Sequence, residues 1–178
     1  MKCAVYTGSF DPITVGHQNV IQRSSRLVDR LIVGVGINVD KSALFTPEER
    51  CDLIRASIPE LDNVDIRIFR GLAVKFVRDC QAHVMIRGVR PLTDIDAEFT
   101  MTSANRQLDP QVETIFLMSD PSFSHVSSSL IKQIAHLADD EQLAKFLPSP
   151  IIHRVRQRLQ DDRARQSKPA ANADSSAG

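Results

Sequence analysis

The sequence predicts a doubly wound α/β fold on a five-stranded parallel sheet, and three observations carry that prediction. Five short β-branched runs recur along the chain, segments of helical period lie between them, and the two kinds of segment take turns over about 140 residues. Parallel strands need crossover connections, and strand and helix alternating five times is the pattern that supplies them.

The first strand is Lys2 to Tyr6, followed by the loop Thr7 to His17 and by a helix whose apolar stripe is Val20, Ile21, Leu27 and Val28. Leu31 to Asn38 reads as the second strand. Thr46-Pro47-Glu48-Glu49 starts the next helix, with an N-cap hydroxyl, a proline at the first helical position and a carboxylate at the third. Glu48 and Glu49 therefore have a structural role without acid/base chemistry. Val64 to Phe69 is the third strand, and Leu72, Ala73, Phe76, Val77 and Cys80 place one stripe on a core-facing helix. His83 to Arg87 and Thr114 to Met118 complete the strands. Leu130, Ile131, Ile134 and Ala138 continue the helical period, and Ile152, Val155 and Leu159 mark a last helix. One domain is expected over residues 1–160, with 161–178 as a flexible tail. Beyond Gln166 no bulky apolar residue is present to offset ordering entropy.

Composition narrows the function classes. Of the 178 residues 42% are apolar and 25% charged, a globular balance, and 22 basic residues meet 22 acidic ones. There is no basic excess to announce a nucleic-acid partner. Cys3, Cys51 and Cys80 are odd in number, widely spaced and without a C-x-x-C pair, which argues against a disulfide framework or a zinc site and for a reducing, cytoplasmic setting. The apolar run Leu31 to Ile37 is far shorter than the ~20 residues of a membrane span. The apolar run before Gly8 is too short for the apolar region of a secretory leader, and none is expected there.

In an open parallel sheet, ligands bind beyond the carboxyl ends of the strands. The loop Thr7 to His17, TGSFDPITVGH, is neither a P-loop nor a dinucleotide fingerprint. His17 falls in the first turn of its helix, where the macrodipole opposes a second positive charge, so it suits a neutral donor to phosphate as well as a cap or core histidine. Lys41 sits in the second loop. Arg87-Gly88-Val89-Arg90 ends the fourth strand with two arginines able to clamp phosphates around a close backbone approach. Glu98 lies on the next helix. Ser127-Ser128-Ser129 precede an amphipathic helix and offer more hydroxyls than one cap requires. Phe123, just upstream, is either core or a planar face for a base.

The loop Gly8 to His17 resembles the T/H-x-G-H signature of the nucleotidyltransferase superfamily, and Ser127 to Lys132 resembles its serine-rich second motif. With Lys41, the run Phe45-Thr46-Pro47-Glu48-Glu49-Arg50, Ile86 to Arg90, Glu98 and Asn105-Arg106, the set closely resembles the bacterial phosphopantetheine adenylyltransferases over about residues 2–150. The resemblance implies a Rossmann-like nucleotidyltransferase fold and transfer of AMP from ATP to 4'-phosphopantetheine, with Mg2+, in a homohexamer, with neither nucleic acid nor membrane as partner. It implies catalytic roles for His17, Lys41 and Arg90, and acceptor contacts from Ser9, Lys41, Ala73 and Arg87. ATP would meet Ser9, Phe10, His17, Gly88, Val89, Arg90, Glu98, Phe123, Ser124, His125, Val126, Ser127, Ser128 and Ser129. No protein metal ligand is expected. Thr7, Ser9 and Phe123 depart from the family's usual proline, threonine and tyrosine or tryptophan. The alternatives are a cytidylyltransferase or nicotinate-nucleotide adenylyltransferase with the same first motif, and a non-catalytic nucleotide-binding module.

Overall fold

The computed structural model describes residues 2–37, 42–90 and 94–166. Its sheet is formed by β1 (Cys3–Gly8), β2 (Arg30–Ile37), β3 (Val64–Arg70), β4 (Val84–Val89) and β5 (Glu113–Met118). All neighbours pair parallel, in the order β3-β2-β1-β4-β5. The chain thus moves outward from β1 to β3, then crosses back to β4 on the other side of β1. The connections leaving β1 and β4 diverge, and a crevice opens at their carboxyl ends.

Alternation along the strands sorts side chains onto two faces. On one face Ala4, Tyr6, Leu31, Val33, Val35 and Ile86 form a core with α1 (Val15–Ser25), α2 (Pro47–Ser57), α5 (Ser128–Ile134), the short α6 (Asp140–Leu143) and α7 (Ile152–Gln166). On the other, Val5, Ile32 and Met85 meet Val74, Phe76 and Val77 of α3 (Ala73–Asp79). The remaining helix, α4 (Ile95–Leu108), buries none of its residues against this body.

Local chemistry sets the helix starts. At α2, Thr46 and Glu49 form the reciprocal capping box with Pro47 at the first position, as the sequence predicts. Two stripe positions differ from expectation. Leu27 lies beyond the end of α1 and is 58% exposed, and Leu72 is the N-cap of α3 and 53% exposed, with Val74 taking the buried place. Both sit where the chain turns, so helical period no longer sets the direction of the side chain. The last helix runs through to Gln166 and so crosses the expected 160/161 border between domain and tail, while residues 167–178 lie outside the described residues. Among the described residues no helix is long and apolar enough to cross a membrane, and Cys3, Cys51 and Cys80 are free thiols.

Candidate active site

A cavity of about 330 Å³ occupies the crevice between the ends of β1 and β4. Tyr6, Thr7, Gly8 and Ser9 form its β1 side, and Arg87, Gly88 and Arg90 its β4 side. Thr14, Gly16, His17 and Val20 reach it from the start of α1, and Phe123 and Val126 to Ser129 from the start of α5. Two glycines let these walls close. A Cβ at Gly8 would lie 2.9 Å from the Phe10 ring, and one at Gly88 would lie 2.9 Å from Val20 Cγ2. α1 can therefore lie directly against the end of β4 only because position 88 lacks a side chain.

His17 is the third residue of α1, and a capping box fixes its ring. The Thr14 hydroxyl accepts the His17 backbone N–H, and His17 Nδ1 accepts the Thr14 backbone N–H at 3.2 Å. An Nδ1 that accepts leaves the ring proton on Nε2. Behind the ring Phe10 packs edge-on, with centroids 5.1 Å apart, and Tyr6 packs edge-on against Phe10 in turn. Burial, reinforced by the positive charges of Arg90 and Arg87, pushes the His17 pKa down to about 4. The imidazole is neutral at physiological pH and can donate one hydrogen bond through Nε2.

Both arginines arrive with carboxylate partners from the start of α4. Arg87 makes a two-pronged contact with Glu98, Nε to Oε2 at 2.7 Å and Nη2 to Oε1 at 2.5 Å, and its Nη1 reaches the Thr7 carbonyl at 2.9 Å. Burial acts to lower the Arg87 pKa, but the bond and charge of Glu98 outweigh it and the net direction is upward. Arg90 grips Asp94 in the same way, with both contacts at 2.7 Å, and its Nη1 donates to the Val126 carbonyl at 3.2 Å. The Asp94 bond is the main cause of its raised pKa. Arg90 thereby ties the end of β4 to the segment leading into the serine run.

The three serines divide their work. Ser127 is the N-cap, its hydroxyl accepting the Leu130 N–H at 3.1 Å. Ser128 Oγ donates to the Pro12 carbonyl at 2.7 Å, joining α5 to the β1–α1 loop. Ser129 is exposed at the cavity wall.

Of the residues singled out from sequence, Ser9, His17, Arg87, Gly88, Arg90, Glu98, Phe123, Val126, Ser127, Ser128 and Ser129 come together around this cavity. Phe10 is fully buried behind His17, and Val89 is buried beside the cavity. Ser124 Oγ bonds the Pro121 carbonyl, and His125 packs edge-on against Phe146, both outside the lining. Ala73 begins α3, against the second core. Lys41 lies outside the described residues. Sequence reasoning missed Asp94, Thr14, Tyr6 and Ser119 as lining residues. The i to i+4 spacing of Arg90 and Asp94 was the available signal, but the pair straddles a strand end and a helix start, where that spacing has no fixed meaning.

A family model described as cytidylyltransferase-like matches residues 5–134. The chain is 59% identical over 157 residues to a phosphopantetheine adenylyltransferase of Rhodopirellula baltica, covering 88% of each chain. It is 44% identical over 162 residues to one of Levilactobacillus brevis, covering 91% of this chain and 99% of that one. Among solved structures, a putative nicotinate-nucleotide adenylyltransferase from Vibrio parahaemolyticus superposes with a TM-score of 0.62 at 16% identity, over 94% of this chain and 98% of that one. At that identity the likeness concerns the fold.

Proposed function

Because the chain belongs to the cytidylyltransferase-like nucleotidyltransferase family, and within it to the phosphopantetheine adenylyltransferases, we propose that it transfers AMP from ATP to 4'-phosphopantetheine. An oxygen of the acceptor phosphate attacks the α-phosphorus, the bond from that phosphorus to the bridging oxygen breaks, and pyrophosphate leaves with dephospho-coenzyme A as the product. The acceptor oxygen is already ionised at neutral pH, so the reaction needs no general base. It needs two mutually repelling anions held in line and the charge at the α-phosphate met by donors.

The observation that carries this reading is a neutral His17 whose Nε2–H is fixed by the Thr14 contact and which shares its cavity with Arg90. A donor of this kind stabilises oxygen charge without titrating at the working pH. Arg90 and the serine run suit the triphosphate, and Arg87, with Lys41, suits the acceptor phosphate. Arg87 already grips Glu98, so an acceptor phosphate shares that guanidinium with a carboxylate. Mg2+ in this proposal travels with the triphosphate, since hard divalent cations take phosphate oxygens and water as ligands. Among the described residues no three His, Cys, Asp or Glu side chains gather as a protein cage.

Self-association belongs to the same proposal. α4 presents Ile95, Phe99, Met101 and Leu108 to the outside, and β5 presents Ile115, Phe116 and Met118, an apolar surface of the kind that oligomers cover. A homohexamer in the cytoplasm is the assembly proposed.

A pyrophosphate-release assay with ATP and a panel of acceptors tests the function. Turnover with 4'-phosphopantetheine, and none with nicotinate mononucleotide or with CTP as donor, is the expected result. Binding without turnover would favour a nucleotide-binding module instead.

A further inference from the structure

In the Phe45–Arg50 run, Thr46 and Glu49 are occupied by the capping box, and the arginine turns inward. Arg50 is 5% exposed, and its hydrogen bonds among the described residues all end on backbone carbonyls. Nε donates to Phe45 O at 3.0 Å, and Nη1 donates to Ser9 O at 3.0 Å and to Gly36 O at 3.5 Å. The three carbonyls belong to three segments: the loop after β1, the end of β2 and the entry to α2. A planar guanidinium can bridge such a set, whereas the compact ammonium of lysine cannot.

The opposite side of the same segment is also pinned. Buried Asp11 accepts the N–H groups of Leu44 and Phe45 at 2.8 and 2.9 Å, and Lys132 of α5 donates to it at 2.6 Å. Residues 44 and 45 are thus held to the β1–α1 loop by their amides through Asp11, and by a carbonyl through Arg50. Ser9 is the cavity-lining residue within this brace.

We infer that Arg50 is a positioning residue for adenylyl transfer, acting through Ser9. By fixing Ser9 O against the end of β2 and the entry to α2, it holds the Ser9 hydroxyl where donor and acceptor phosphates meet. This inference rests on the proposed function for the identity of the substrates. It predicts loss of alignment more than loss of binding, because small displacements at a reacting centre cost rate steeply.

The test is a double-mutant cycle of Arg50→Lys and Ser9→Ala, assayed as the full chain with ATP and 4'-phosphopantetheine, with rates normalised to folded protein. Each single variant is expected to lower kcat by about tenfold with KM for both substrates changed less than threefold, and the double variant to be no worse than the worse single one. Hydrogen exchange at the Leu44 and Phe45 amides should quicken at least tenfold in Arg50→Lys. Additive losses, an unaffected Ser9→Ala, or exchange and kcat within twofold of wild type in folded Arg50→Lys would each overturn the inference. Should Arg50→Lys not fold, Arg50→Gln, which places no buried charge, replaces it. Failure of both to fold makes Arg50 a folding residue and also overturns it. Wild-type turnover is the separate arm for the function: if it is absent, the substrate reading fails while the exchange measurement still judges the brace.

Discussion

His17 Nδ1 accepts the Thr14 backbone N–H at 3.2 Å, so one contact both caps α1 and sets which ring nitrogen carries the proton toward the cavity. The helix start and the proposed catalytic donor are the same piece of structure. Replacing His17 with alanine removes that donor while leaving the Thr14 hydroxyl to cap the His17 backbone position. The expected loss is on the order of 10²- to 10³-fold in kcat, with KM for ATP changed far less, as measured by steady-state pyrophosphate release.

The same ring makes a pH prediction. Its pKa is pushed from 6.5 down to about 4, first by burial and then by Arg90 and Arg87. A depressed folded-state value means this group's contribution to stability is fully present above pH 6.5 and is lost as pH falls through about 4. Imidazole NMR signals of His17 should stay those of the neutral ring down to about pH 5, and kcat should show no inflection from this group between pH 6 and 8. An inflection near 6.5 that disappears in His17→Gln would contradict the neutral-donor role.

Asp11 satisfies two backbone donors and one ammonium from a site 6% exposed. Asp11→Ala orphans the Leu44 and Phe45 N–H groups, and each buried unpaired donor costs about 1 to 3 kcal/mol. Chemical denaturation should show a lower midpoint with an unchanged slope.

Gly88→Ala tests the close approach of α1 to β4. The added Cβ would lie 2.9 Å from Val20 Cγ2 and 3.3 Å from Tyr6 Oη, both held by the first core. Overpacking of this type costs roughly 1 to 3 kcal/mol. Calorimetry should find a melting temperature several degrees lower, and turnover should fall because Arg87 and Arg90 flank the displaced position.

Phe99 is 67% exposed on a helix that buries no residue of its own. Phe99→Glu should lower the mass of the assembly in light scattering while leaving the far-UV spectrum unchanged. An unaltered mass would move the self-association surface elsewhere.

The five strands, the α2 capping box and the serine N-cap were legible in the sequence because they follow from local chemistry: β-branched runs, a hydroxyl three residues before a carboxylate, a proline where no N–H is needed. So was most of the cavity, since residues at strand ends in a doubly wound sheet converge on one crevice. Leu27 and Leu72 mark where local period stops being informative, at chain reversals. Tertiary structure alone decided the rest. That Arg50 reaches the Ser9 and Gly36 carbonyls and that Arg90 reaches the Val126 carbonyl depend on segments distant in sequence packing together, and even the nearby pairs Arg90–Asp94 and Phe10–His17 depend on how the chain turns between strand and helix. Long polar side chains take their direction from whichever partner a buried charge can reach, and the linear order of residues does not specify that partner.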